Sequence, residues 1–139
     1  MMSEELSAAQ EKRIRQALEN VPFARLLGIE VETLERGSAI LALPLREELL
    51  QNNGVVHGGV IASLIDTATA FAILTVLEKQ ERITTVDLTI SYLRPLTTGR
   101  AKVQAKVLRA GRRLIAVSAD VSTEEGTLAA TSLSTYMRL

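Results

Sequence analysis

The sequence has no cysteine. That excludes a disulfide framework, a thiolate zinc site, a cysteine nucleophile and an iron–sulfur cluster. With His57 as the single histidine, a metal site would have to be built mostly from carboxylates. Aromatic residues make up 3% of the chain, namely Phe23, Phe71, Tyr92 and Tyr136, so a bound aromatic group would find few stacking partners. Neither sign of charge dominates: 16 Lys and Arg balance 16 Asp and Glu. No net field draws the molecule onto nucleic acid or an anionic membrane. The start, Met1-Met2-Ser3-Glu4-Glu5, is acidic and leads into charged residues rather than an apolar signal core, so a cytoplasmic location is expected. What is present is 139 residues, 47% apolar and 23% charged, a size and balance suited to one domain.

From Ser3 to Asn20, Leu6, Ala9, Ile14, Ala17 and Leu18 fall at helical spacing and predict an amphipathic helix with Ser3 as N-cap. Val21-Pro22 interrupts it, and Gly28 stops the short apolar turn Phe23 to Leu27. Ile29 to Leu34 and Ala39 to Leu45, separated by Glu35-Arg36-Gly37-Ser38, predict two antiparallel strands. The longest apolar element is Val60 to Lys79. Its length would just cross a membrane, but Asp66 alone costs about 2.5–3.5 kcal/mol on insertion. The hydroxyls of Ser63, Thr67, Thr69 and Thr75 add to that cost, and the buried core helix of a soluble domain fits better. Further on the period changes. Val86, Leu88, Ile90 and Tyr92 alternate with Asp87, Thr89 and Ser91, and Ala101, Val103, Ala105 and Val107 alternate with Lys102, Gln104 and Lys106, as half-buried strands do. Leu114 to Thr123 and Leu128 to Leu139 follow turns at Ala110-Gly111-Arg112 and Glu124-Glu125-Gly126. The expected fold is α+β: a curved antiparallel sheet of about six strands wrapped around one long helix. Residues 1–22 are expected to form an N-terminal helix, and 23–139 the domain proper.

The segment Gln51-Asn52-Asn53-Gly54-Val55-Val56-His57-Gly58-Gly59 runs straight into the helix that holds Asp66. Without Cβ atoms, Gly58 and Gly59 let a ligand approach the backbone, and their N–H groups belong to the orphan donors of the first turn. The helix dipole adds positive potential, which makes an oxyanion hole for a thioester or ester carbonyl. A tight strand-to-helix turn would use the same glycines. Asp66 reads as an unpaired acid in an apolar helix, unfavourable unless hydrogen-bonded or protonated, and therefore a candidate base or nucleophile. The alternative is an acid that merely anchors the helix. His57 has no cysteine to activate and no serine in a nucleophile elbow. Its expected role is a neutral imidazole that bonds backbone and fixes the Gly58 amide. Gly59 and Asp66, seven residues apart, lie on nearly the same helix face but ~10 Å apart along it. Two copies of the helix meeting across an interface would bring one amide to the other's acid, so sites shared within a dimer are expected.

The run His57-Gly58-Gly59-Val60-Ile61-Ala62-Ser63-Leu64-Ile65-Asp66, followed by Val86-Asp87-Leu88-Thr89-Ile90-Ser91-Tyr92-Leu93-Arg94-Pro95, resembles the hotdog-fold acyl-CoA thioesterases of the phenylacetic-acid-degradation type, in the 4-hydroxybenzoyl-CoA thioesterase superfamily. The resemblance runs from about Phe23 to the C terminus. It implies subunits joined edge to edge through their sheets, pairs associating into tetramers, and hydrolysis of a thioester to free acid and coenzyme A without metal or organic cofactor. By the same resemblance the Gly58 amide polarises the carbonyl, and Asp66 of the neighbouring subunit is nucleophile or general base. Thr85 falls where related enzymes hold the attacking water with Ser or Thr. One departure stands out. Six residues before the histidine many members have Asn, and here it is Gln51; a related branch has Gln there but Glu in place of the helix Asp.

Between Arg94 and Arg113 the chain carries Arg94, Arg100, Lys102, Lys106, Arg109, Arg112 and Arg113 with no acid. Such cations suit the phosphates of coenzyme A, and Arg94 with the Arg112-Arg113 turn are the candidates. A solvated strand face would use them equally. Asn53 and Gly59 join the coenzyme A side of the site. Phe71, Leu49, Leu50 and Val56 are candidates to line an acyl pocket, and the scarcity of aromatics favours an aliphatic chain. The competing readings are a non-catalytic acyl-CoA sensor and an acyl-thioester hydratase or dehydratase, the latter needing a catalytic histidine with an acid.

Overall fold

A computed structural model describes residues 5–139. Helix α1 spans Ala8–Glu19. Ser3 lies outside the described residues; the N-cap is Ser7, whose Oγ accepts from Gln10 N–H at 3.1 Å while Gln10 Oε1 accepts from Ser7 N–H at 2.8 Å. This reciprocal box needs Ser and Gln three apart, and Ser7 with Gln10 supplies it. Ile14 and Leu18 of α1 are buried in the core. Helix α2, Pro22–Leu27, starts on Pro22 and ends at Gly28 in the left-handed region, φ 90°.

Strands β1 (Glu30–Glu35) and β2 (Ser38–Pro44) form the expected hairpin, shifted by a residue. Helix α3 covers Gly58–Leu74 rather than Val60 to Lys79. It begins early because His57 caps it. It stops at Thr75, whose Oγ1 donates to Ala72 O at 2.6 Å and accepts Gly37 N–H at 2.7 Å, tying the β1–β2 turn to the helix end. Among the described residues no helix is long and apolar enough to cross a membrane. Strands β3 (Ile83–Tyr92), β4 (Arg100–Ala110), β5 (Leu114–Ser122) and β6 (Leu128–Arg138) complete one antiparallel sheet of order β1-β2-β4-β5-β6-β3. This is the hotdog arrangement.

The alternation in β4 and β5 turns Ala101, Val103, Ala105 and Val107, and Ile115, Val117, Ala119 and Val121, onto α3, and all are buried. On the helix, Ala68 and Ala72 are fully buried between Leu64, Ile65 and Ile73, so the curved sheet can approach closely. The two edges of the sheet are β1 and β3. Val86 and Tyr92 of β3 remain half-exposed.

Candidate functional site

Strict alternation along β3 would put Thr85 on the face of Asp87, Thr89 and Ser91, away from α3. The register shifts between Thr85 and Asp87, with Val86 left out of the pairing. One extra residue exchanges the two faces on either side of it. Thr85 therefore pairs with Tyr136 and faces α3 together with Leu88 and Ile90, whereas Val86 is 53% exposed.

Three hydroxyls converge on half-buried Asp66. Thr85 Oγ1 donates to Asp66 Oδ1 at 2.9 Å. Tyr136 Oη lies 3.0 Å from the same Oδ1 and 2.8 Å from the Asp66 main-chain oxygen. Thr69 Oγ1 stands 2.8 Å from Tyr136 Oη and reaches the carbonyl oxygens of Ile65 and Asp66 at 3.0 and 3.1 Å. Asp66 is thus not the unpaired acid expected: β3 and β6 lay hydroxyl donors across it. Burial pushes the Tyr136 hydroxyl far above the usual tyrosine range; bonds with Thr69 and Thr85 oppose this, and the Asp66 charge adds to it. Tyr136 stays a neutral phenol.

At the start of α3, His57 Nδ1 accepts from Gly59 N–H at 2.8 Å, so that nitrogen carries no proton and the imidazole caps the helix. The expected backbone role is met one residue along, at Gly59 rather than Gly58. A Cβ on Gly59 would stand 3.0 Å from His57 Nδ1 and 3.2 Å from Cε1, so this glycine makes room for the protein's own cap. The Gly59 N–H is spent on His57. The Gly58 N–H, in contrast, finds no acceptor among the described residues. Its carbonyl accepts from Tyr92 Oη at 2.9 Å, and the Tyr92 ring packs 3.5 Å from where a Gly58 Cβ would be.

A cleft of ≈ 340 Å³ opens beside Gly58, walled by Gln51, Val56, Ile61, Tyr92, Arg94 and Leu96 among others. Gln51 opens a tight turn in which its N–H donates to Val55 O at 2.8 Å, with exposed Asn53 at the tip and Gly54 at φ 83°, a conformation that favours glycine. Exposed Arg94 donates to Leu128 O at 3.2 Å. Phe71 and Leu49 are core residues, whereas Val56 reaches the cleft.

The candidates therefore gather in two places. Gln51, Gly58 and Arg94 share one cleft, and Asp66 and Thr85 share a hydrogen bond. The two places stand apart within the chain, since eight residues of helix separate Gly58 from Asp66, about 12 Å. Arg112 and Arg113, exposed in the β4–β5 turn, sit at the Asp66 end, where the Arg113 carbonyl accepts from Arg138 N–H at 2.8 Å. Arg94 sits at the other end of the sheet. The seven-residue step along β6 from Ala130, opposite Tyr92, to Met137, opposite Leu114, spans about 23 Å. Arg100 and Lys102 pair with Glu30 and Glu32 on the strand surface. Tyr136, Thr69 and Tyr92 were not legible as site residues. Tyr136 is 70 positions from Asp66, and its only local signal was being one of four aromatics.

Residues 53–130 match the family model described as the thioesterase superfamily. YigI of Escherichia coli K12, a medium/long-chain acyl-CoA thioesterase, is 32% identical over 133 residues, covering 85% of this chain and 86% of its own. The crystal structure of a thioesterase family protein from Silicibacter pomeroyi superposes with a TM-score of 0.88 at 26% identity, covering 94% of this chain and 98% of that one. The PaaI protein from the phenylacetic acid degradation operon of E. coli shares the fold, with a TM-score of 0.86 at 23% identity over 95% of each chain.

Proposed function

Because the chain belongs to the thioesterase superfamily and is a thioester hydrolase, we propose that it cleaves acyl-CoA to free acid and coenzyme A in a site shared by two subunits. The observation that carries this reading is the layout of α3 against β3. Gly58 stands at Tyr92, Asp66 stands at Thr85, and β3 is an edge strand with half its ladder unpaired. A second copy adding its β3 antiparallel, centred between Thr85 and Tyr92, lays its Gly58 end beside this chain's Asp66 end. The same pairing places Arg94 of one chain on the side of the partner's Arg112 and Arg113, where the coenzyme A phosphates would lie. It also covers Val86 and Tyr92. A tetramer built from two such pairs, and a cytoplasmic location, belong to the same reading. A medium or long aliphatic acyl chain is supported by the name of the E. coli relative and by the apolar walls of the Gly58 cleft.

The carboxylate of Asp66 acts as general base. Thr85 gives its one hydroxyl proton to Asp66, which leaves its oxygen free to accept from a water that also donates to Asp66. That water loses a proton to Asp66 as its oxygen bonds to the thioester carbonyl carbon. The partner's Gly58 N–H meets the negative charge on the carbonyl oxygen. The C–S bond then breaks, and the thiolate takes the proton from Asp66, giving free acid and coenzyme A thiol. Free-thiol release from a panel of acyl-CoAs tests this. Asp66→Asn should lower turnover by at least ~10²-fold, the scale of a lost base; undiminished hydrolysis, or binding without thiol release by the wild type, would overturn the reading. Single turnover in H₂¹⁸O should put the label in the product acid. A label in Asp66 instead would make the acid a nucleophile.

A further inference from the structure

We propose that Tyr136 is a positioning residue: with Thr85 it occupies Oδ1 of Asp66, so that Oδ2 alone is presented to the water. This rests on the reading of Asp66 as base. Tyr136 is 2% exposed, and Thr69, fully buried beside it at 2.8 Å, is enough by itself to satisfy the phenol. The approach of Tyr136 to both the main-chain oxygen and Oδ1 of Asp66 is therefore more than a buried hydroxyl needs. Its effect is to hold backbone and carboxylate of one residue from a strand packed across the helix. Thr85, the other donor to Oδ1, is exposed to solvent, whereas Tyr136 is held in the core. The groups facing Asp66 are Thr85 from β3, Tyr136 from β6 and Thr69 from its own helix, and none of the ion pairs among the described residues includes it. Oδ2 receives no hydrogen bond from them.

In Tyr136→Phe, kcat should fall roughly 10-fold, the scale of one hydrogen bond to a charged group, with KM within about twofold. The loss should persist when turnover is normalised to folded protein, and it should appear equally in single-turnover hydrolysis. Thr69→Val leaves Tyr136 its whole proton for Asp66, so kcat should fall much less than in Tyr136→Phe. Ser132→Ala, which removes a buried hydroxyl bonded to Ala119 O, should leave both readouts unchanged. If Tyr136→Phe lowers only the melting temperature, or if Thr69→Val lowers kcat equally, Tyr136 is structural and the proposal fails. Failure of the underlying reading shows separately, as Asp66→Asn that still turns over.

Discussion

Strands β4 and β5 and strand β3 are written in the same alternating pattern and end in different conditions. In β4 through Val107 and in β5, every second residue is buried against α3. In β3, Leu88 and Ile90 are half-buried, Val86 and Tyr92 are half-exposed, and Thr85 faces the helix from a position that alternation assigns to the other side. The central strands have a neighbour on each edge and a helix over one face, so any slip would expose a whole apolar row. β3 has one neighbour and bulges beside Asp66, whereas β4 bulges only at Leu108, past its last buried residue, Val107. The difference separates two tasks: β4 and β5 hold the fold together, and the loosened edge, with Tyr136 from neighbouring β6, aims side chains at Asp66.

Substitutions on the two sides should break different things. The largest stability effect is expected at Ile115, fully buried on β5 and opposite Tyr136. Ile115→Ala should cost about 2–5 kcal/mol in denaturant unfolding. Turnover per folded molecule should stay within about twofold, and a selective loss of kcat would mean the core and the site are not separable. At Thr85 the balance reverses. Thr85→Val should lower kcat roughly 10-fold through loss of a bond to a charged acceptor, with stability within about 0.5 kcal/mol, as for other exposed positions. Thr85→Ser should restore most of it, and a valine enzyme with full activity would detach the bulge from the chemistry.

How much of this could be read beforehand follows the same division. The helix-entering glycines, Asp66 and all six strands were legible because each is signalled within a few residues, by a glycine pair, a lone acid in an apolar run, period-two alternation, or a short run bounded by a turn. The bulge was not, because Thr85-Val86-Asp87 contains no glycine or proline to mark it. Alternation alone pointed Thr85 away from the helix, and only the family resemblance singled it out. Tyr136 and Thr69 were missed for another reason: their bonds to Asp66 and to each other depend on β6 folding back beside β3. The purpose of Gly59 was misplaced, since a glycine that admits a ligand and one that admits His57 look alike in a sequence.

The opposite edge sharpens the contrast. On β1, Glu32 receives Lys102 Nζ at 3.2 Å and Arg100 Nε at 3.1 Å. Burial pushes its carboxyl up, but the hydrogen bonds and charges of Lys102 and Arg100 outweigh this and hold it below the usual glutamate range. A carboxyl whose folded pKa is depressed contributes stability above its unfolded value, about 4.3, and loses it as pH falls through the folded value. Glu32→Gln should therefore destabilise by no more than about 1 kcal/mol at neutral pH, the scale of solvated pairs. The gap between variant and wild type should shrink with added salt and close as pH falls below the depressed folded value of Glu32. Turnover at neutral pH should not change, because this pair lies on the edge that carries no candidate catalytic group. A loss of turnover in Glu32→Gln would show that the two edges are coupled through the sheet.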